Sequence, residues 1–357
     1  VRHNIIANFT GNVWRGVFNL AFIPVYIKLM GVEVYGLLGV FMSLSALFVL
    51  LDMGLSTTLS RELSRLSVIE NSVQESRNLV RTFEVVYWLI GIVIGAAVII
   101  LAPLIAEYWI NSANISTEII EQTLLIMGML LAFQWPRAIY IGGLEGLQRQ
   151  VLYNVIKTLS MLARHIGAVL VLTFISPSIL YFFYWQSIVA LITTIVLAVY
   201  LWKSLPESNG RSKFDKNLFV KNWKFVSGVM GISLGTVLLT QIDKIILSKM
   251  LTLEVFSYYM LATTVATVIM SLVSPIHTAL FPRLSQLVVK KDENGISDLY
   301  HRGCQLASII ILPISITMIF FSKEILSTWI GDPTVVNNTH MLLSLLIVGT
   351  TIKAYMT

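Results

Sequence analysis

Asn4, Asn8, Asn12, Arg15 and Asn19 follow one another at intervals of four, four, three and four residues. On a helix that spacing puts all five on one face. The residues between them are apolar enough to cross a bilayer, and a stripe of amides and a guanidinium is very costly against lipid, so this face must meet protein or water. A guanidinium can hold two phosphate oxygens at once, and amides suit hydroxyl groups. Arg15, near mid-depth, either receives an anionic head group or pairs with an acid or with free carbonyls to hold helices together.

The same chemistry recurs further along. Asn154, Lys157, Met161, Arg164 and Ala168 share a helical face. Lys157 is near enough to a membrane surface to snorkel, whereas Arg164 is not. His165 beside it is a hydrogen-bonding residue in preference to a proton carrier. A third face carries Ser233, Thr236, Thr240 and Asp243, with Lys244 next in sequence. Adjacent residues point about 100° apart on a helix, so Asp243 and Lys244 need not pair with each other. Asp243 neutralises Arg15 or Arg164, or it carries a coupling proton or cation. Arg137, directly after Pro136, meets an incoming head group or snorkels. Cations outnumber acids on these faces, which favours an anionic, hydroxyl-rich substrate over an organic cation, whose site would use carboxylates and an aromatic cage.

Helices that span a membrane must position these residues. Hydrophobic residues make up 56% of the 357-residue chain and charged residues 12%, against roughly 25% charged in soluble domains. A span needs about 20 mostly apolar residues. Ten stretches qualify, near 5–28, 36–56, 83–106, 120–143, 152–175, 179–202, 223–248, 255–279, 304–322 and 340–357. The expected fold is therefore all-α, a polytopic integral membrane protein.

The spans fall into two related sets. Lys28 to Tyr35 echoes Lys249 to Phe256, Arg61 echoes Arg283, Arg81 echoes Arg302, and Tyr108-Trp109-Ile110 echoes Thr328-Trp329-Ile330, all at offsets of 220 to 222 residues. A duplicated half is expected. Six spans separate the copies, an even number, so a pseudo-two-fold along the membrane normal should relate two six-helix lobes. The expected division is 1–202 for the N-terminal lobe, 203–222 for a basic linker and 223–357 for the C-terminal lobe. The second lobe would then be truncated, lacking two spans and about 65 residues.

Arg61, Arg65, Arg77, Arg81, Arg149, the run from Lys203 to Lys224 and the segment from Arg283 to Arg302 all fall in loops on one side. Lys and Arg collect on the cytoplasmic side, which places the N-terminus there. The net charge of +6 needs no nucleic acid; topology and anionic lipid head groups account for it. The single cysteine, Cys304, excludes a disulfide framework and a multi-cysteine metal site. No cofactor or metal is expected, and no Walker lysine, His-Glu-x-x-His pair or Gly-x-Ser-x-Gly elbow points to an enzyme.

The run Pro24-Val25-Tyr26 through Gly31-Val32-Glu33-Val34-Tyr35-Gly36-Leu37, followed by Leu51-Asp52-Met53-Gly54-Leu55 and Arg61-Glu62-Leu63-Ser64, resembles the opening of Wzx-type polysaccharide flippases. Gln241-Ile242-Asp243-Lys244, Glu254 to Tyr258 and Phe281-Pro282-Arg283-Leu284-Ser285 resemble the matching opening of the second half. These flippases belong to the multidrug/oligosaccharidyl-lipid/polysaccharide (MOP) exporter superfamily. The resemblance implies a MATE-like pair of lobes around a central cavity, moving undecaprenyl-diphosphate-linked oligosaccharide across the bacterial inner membrane by alternating access. O-antigen, capsule or exopolysaccharide synthesis would use it, with a polymerase and a chain-length regulator as possible partners. On that basis Arg15, Arg164, Asn8, Asn12, Asn19, Arg137 and Lys244 are the expected substrate-binding residues, and Asp243 the ion-coupling or charge-pairing one. Two rivals stand: a MATE-like drug exporter, which would want an acid where Arg15 is, and a membrane glycan polymerase or ligase, which would want a large external loop.

Overall fold

The computed structural model describes residues 16 to 356 except 17, 53, 70–71, 209, 274–279, 281–283, 285–286, 289 and 291. Arg15, Asn4, Asn8 and Asn12 lie outside the described residues. The described chain is helical. In order it forms α1 (Phe18–Met30) and α2 (Val32–Phe48), a 3-10 turn (Val49–Asp52), α3 (Leu55–Leu66), α4 (Val73–Tyr108), α5 (Thr117–Gln134), α6 (Arg137–Gly146), α7 (Gln150–Phe174) and α8 (Ile179–Ser204). After them come α9 (Lys216–Met250), α10 (Leu253–Ala266), α11 (Glu293–Phe320), α12 (Ser322–Ile330) and α13 (Pro333–Met356). Seven stretches are long and apolar enough to cross a membrane among the described residues. A bilayer favours this all-helical solution because a helix satisfies its own backbone groups.

By compactness the chain forms two units, Val1–Gly36 with Glu254–Thr357, and Leu37–Leu253. In the first, Gly31 adopts a positive φ of 89° at the α1–α2 junction. Its N–H still reaches Ile27 O at 2.8 Å. Tyr35 meets Thr264 Oγ1 at 3.1 Å, Trp329 donates its indole N–H to Leu20 O at 3.2 Å, and Thr351 donates to Ser315 Oγ at 2.8 Å. The segments that echo each other in sequence take like forms: Lys28–Tyr35 and Lys249–Phe256 are both helix-to-helix turns, and Trp109 and Trp329 both stand where a helix ends.

The second unit contains two broken helices. After α2 the chain tightens into the 3-10 turn and then passes through Gly54 at φ 74°, a left-handed conformation that glycine adopts without strain. The hydroxyls of Thr57 and Thr58 both donate to Gly54 O at 2.8 Å, satisfying a carbonyl that the break leaves free. Between α5 and α6 the break falls at Trp135-Pro136. Pro136 has no N–H to continue the ladder and caps α6 instead.

Small residues hold the two broken segments together. A Cβ on Gly142 would stand 2.4 Å from Ser56 O, and one on Gly146 would stand 2.4 Å from Ser60 O. The pair Gly142-x-x-x-Gly146 thus packs α6 directly on the backbone of α3, a close approach of the kind membrane helices use. Around this contact lie Leu55, Leu59, Leu63, Phe83, Tyr87, Tyr140, Leu144 and Leu201, all buried. Glu84, buried in the same region, accepts from Tyr140 Oη at 2.8 Å, Arg81 at 2.8 Å and Trp202 Nε1 at 3.2 Å. It ties α4, α6 and α8 with its charge fully engaged. The outward faces are apolar: Leu89, Ile92 and Ile100 of α4 and Ile188, Ile192 and Ile195 of α8 are exposed.

The basic segment between α8 and α9 runs along one face of α4. Arg77 donates to Pro206 O at 3.0 Å, and the backbone N–H groups of Lys213 and Asp215 donate at 2.9 Å to the side chains of Asn78 and Thr82.

Gly142→Ala or Gly146→Ala forces a methyl into a backbone carbonyl and should destabilise the protein by about 1–3 kcal/mol. Gly349, whose Cβ would meet nothing within 4 Å, is the control. Thermal unfolding in detergent should show a lower midpoint for the first two and an unchanged or higher one for Gly349→Ala.

Candidate functional site

The break after α2 and the break before α6 face the same hollow. It is a chamber of about 330 Å³ lined by Ser45, Phe48, Asp52, Ser56, Ile94, Leu131, Gln134, Trp135, Arg137, Ala138 and Ile141. Both breaks deliver polar side chains to it, as expected of irregular backbone at membrane depth, which is tolerated where it lines a cavity. A shallower groove of about 630 Å³ adjoins it through Ser56, Ala138 and Ile141 and runs along the α3–α6 contact to Ser60, Arg61, Ser64, Glu145, Gln148 and Gln150. The groove opens at the end of the helices that carries Arg61, Arg65, Arg77 and Arg81.

Asp52 is held from two sides. Tyr87 Oη donates to Oδ1 and Ser56 Oγ donates to Oδ2 at 2.9 Å. The Tyr87 ring in turn stacks on Trp135, with centroids 6.1 Å apart and planes 23° from parallel. Arg137 lines the same chamber and, among the described residues, has no hydrogen-bond or ion-pair partner. The Ser45 hydroxyl oxygen, the Gln134 amide oxygen and the Trp135 indole nitrogen are shut off from the surface and likewise have no hydrogen-bond partner among the described residues. Buried polar atoms are normally paired. Four polar groups converging unpaired on one chamber describe a surface that something else completes.

At the groove's edge Glu62 accepts from Arg61 at 2.9 Å and from Arg65 at 2.9 Å. Burial pushes its carboxyl up, but the two hydrogen bonds and charges from Arg65 and Arg61 outweigh that and hold it below its ordinary value.

Of the residues expected from sequence, Arg137 alone among those described lines the chamber. Arg164 Nε donates to Gln186 Oε1 at 2.8 Å, and Gln186 Nε2 returns a bond to Arg164 O at 3.4 Å, so this arginine helps to lock α7 on α8. Lys244 donates to Thr240 O at 2.8 Å and lies 3.4 Å from Gln241 Oε1. Asp243 is half-buried on α9 and Asn19 is exposed on α1. Neither Arg164, Asp243 nor Lys244 lines the chamber or the groove. Arg15, Asn8 and Asn12 lie outside the described residues. Ser45, Asp52, Gln134 and Trp135 were not singled out from sequence. Their signal was a polar residue set beside a helix breaker inside an apolar span: Asp52 two before Gly54, and Gln134 two before Pro136.

The helical arrangement matches solved membrane transporters. An inward-facing multidrug-resistance MATE family transporter of the MOP superfamily superposes with a TM-score of 0.68 at 12% identity, covering 96% of this chain and 80% of that one. The lipid II flippase MurJ in an inward closed conformation gives 0.68 at 17% identity, covering 98% and 74%. A MATE in complex with MaL6 gives 0.63 at 13%, covering 98% and 79%. The fold is therefore that of MATE transporters and MurJ. The profile of the polysaccharide biosynthesis protein family matches residues 1–288, and that of the MatE family residues 229–357. The chain belongs to the polysaccharide biosynthesis protein family, a group of polysaccharide-associated transporters and flippases within the MOP superfamily. Comparison with curated protein sequences finds no match.

Two outcomes test the site's framework. Tyr87→Phe removes a donor from a buried carboxylate and should cost about 1–3 kcal/mol in unfolding measurements. The Glu62 pairing has a definite pH sign. A carboxyl held low contributes stability that is complete above its ordinary value of 4.5 and fades as pH falls through the lowered folded value. The wild-type melting temperature should fall more steeply below that pH than that of Glu62→Gln.

Proposed function

We propose that this protein moves undecaprenyl-diphosphate-linked oligosaccharide repeat units across the bacterial inner membrane by alternating access, for O-antigen, capsule or exopolysaccharide synthesis. The observation that carries the proposal is the chamber and groove of the second unit: a hydroxyl-, amide- and guanidinium-lined recess sunk among helices whose outer faces are apolar. The recess suits a polar head group that must cross while its lipid tail stays in the bilayer. Membership of a polysaccharide biosynthesis family gives that head group its class. MurJ, described as a lipid II flippase, shares the fold.

In this proposal the lobes are 1–202 and 223–357, joined by the basic segment 203–222, and rocking of one against the other exposes the recess to each side in turn. Arg15 and Arg164 face the diphosphate, and Asn8, Asn12, Asn19 and Lys244 serve the same head group. Asp243 balances those cations or carries a coupling ion. The N-terminus is cytoplasmic, and a polymerase with a chain-length regulator takes the product on the far side.

The MatE match over residues 229–357 keeps a second reading in view, export of small molecules. Transport into proteoliposomes separates the two. The full-length protein should move a fluorescently tagged lipid-linked saccharide, and Arg137→Ala should slow it about tenfold or more, as expected when a charged hydrogen bond of about 1.5–3 kcal/mol is lost. Movement of an organic cation dye with none of the glycolipid would overturn the proposal and favour the exporter.

A further inference from the structure

We infer that the closed chamber between the two helix breaks is a binding subsite for one neutral sugar ring of the transported head group, and not for its phosphates. The inference rests on the flippase reading above and adds which part of the substrate sits where.

Charge is the first ground. Asp52 and Arg137 line one chamber yet form no ion pair, so it contains one acid and one base at a distance. Asp52 is occupied by Tyr87 and Ser56, while the guanidinium of Arg137 keeps its donors for a ligand. With Asp52 present the chamber is already balanced. A diphosphate would add charge of the same sign as Asp52 in a medium where like charges repel strongly. A neutral ligand leaves the balance intact.

Hydrogen-bond polarity is the second ground. The unpartnered groups include donors, the Trp135 indole N–H and the Arg137 guanidinium. They also include an acceptor, Gln134 Oε1, and a group that does both, the Ser45 hydroxyl. A phosphate dianion only accepts and would leave Gln134 Oε1 facing its oxygens. A sugar hydroxyl donates and accepts together, so neighbouring hydroxyls of one ring satisfy all four groups.

Size and walls agree. The chamber, about 330 Å³, is at the small end of ligand cavities, which run from about 300 to 1,000 Å³. It has the volume of roughly ten waters, enough for a single ring with its ordered water. Phe48, Ile94, Leu131 and Ile141 offer apolar surface to the C–H faces of a ring. The wider groove beyond, with Ser60, Ser64, Gln148 and Gln150 and with Arg61 and Glu145 of opposite sign, continues the same chemistry for the next residues of the chain.

Ser45→Ala with Gln134→Ala tests the assignment cleanly, because among the described residues these two atoms have no protein hydrogen bond to lose on folding. Wild-type and double-variant full-length protein in nanodiscs would be titrated with two probes. One is undecaprenyl diphosphate bearing the saccharide that accumulates in cells lacking the protein, and the other is undecaprenyl diphosphate alone. The expected result is a loss of about tenfold or more in affinity for the saccharide-bearing lipid, from two hydrogen bonds of about 0.5–1.5 kcal/mol each. Affinity for the bare lipid diphosphate should stay within about twofold, with unfolding midpoints unchanged. Equal weakening of both probes would overturn the inference by making the chamber a phosphate site. No change with either would also overturn it, leaving a chamber that holds ordered water only. Wild-type protein that binds neither probe would remove the flippase reading itself, and the sugar subsite with it.

Discussion

Inside a bilayer there is no water to satisfy backbone groups freed when a helix stops. This chain nevertheless stops two helices at membrane depth, after α2 and before α6, and the second unit is organised around that constraint. The break at Gly54 is closed by Thr57 and Thr58. The break at Trp135-Pro136 uses a residue that has no N–H to strand. What brings the two breaks to one place is the contact of Gly142 and Gly146 with the carbonyls of Ser56 and Ser60. A methyl at either glycine would part α3 from α6 and change the chamber and groove built along their contact.

The polar network divides into a satisfied half and an unsatisfied half. Glu84 and Asp52 are acids fully occupied by tyrosine, tryptophan, serine and arginine donors, and they fix α4 against α3, α6 and α8. Arg137, Ser45, Gln134 and Trp135 face the chamber and are not occupied by protein. The first set supports the second: the Trp135 ring is positioned by its stacking on Tyr87, which also donates to Asp52. Rigid walls around unpaired groups are what a binding site needs, since little ordering remains to be done when the ligand arrives.

Much of the fold was legible in the sequence, because hydropathy over 20 residues reports a physical requirement of the bilayer directly. Each of the ten expected spans contains a described helix, and the echo at Lys28–Tyr35 and Lys249–Phe256 reappears as two helix-to-helix turns. The site was less legible. Periodicity marks polar faces well and so pointed to Arg164, yet it cannot say whether a neighbouring helix satisfies the face, as Gln186 does here. It also passes over Ser45 and Gln134, single polar residues in apolar runs that acquire meaning only when two breaks juxtapose them. Arg137 was legible because the proline before it marked a break.

The central claim is that the chamber is a hydrophilic, substrate-accessible space within the membrane-spanning helices. The single native cysteine, Cys304, is exposed and can be replaced by serine, after which Ser45→Cys and Ile92→Cys can be introduced separately. A charged, membrane-impermeant thiol reagent applied to the protein in proteoliposomes is the measurement. The account predicts that the cysteine at position 45 reacts and is protected by lipid-linked saccharide, while that at position 92, on the outward apolar face, stays unmodified. An unreactive cysteine at position 45, or equal reaction at both positions, would contradict it.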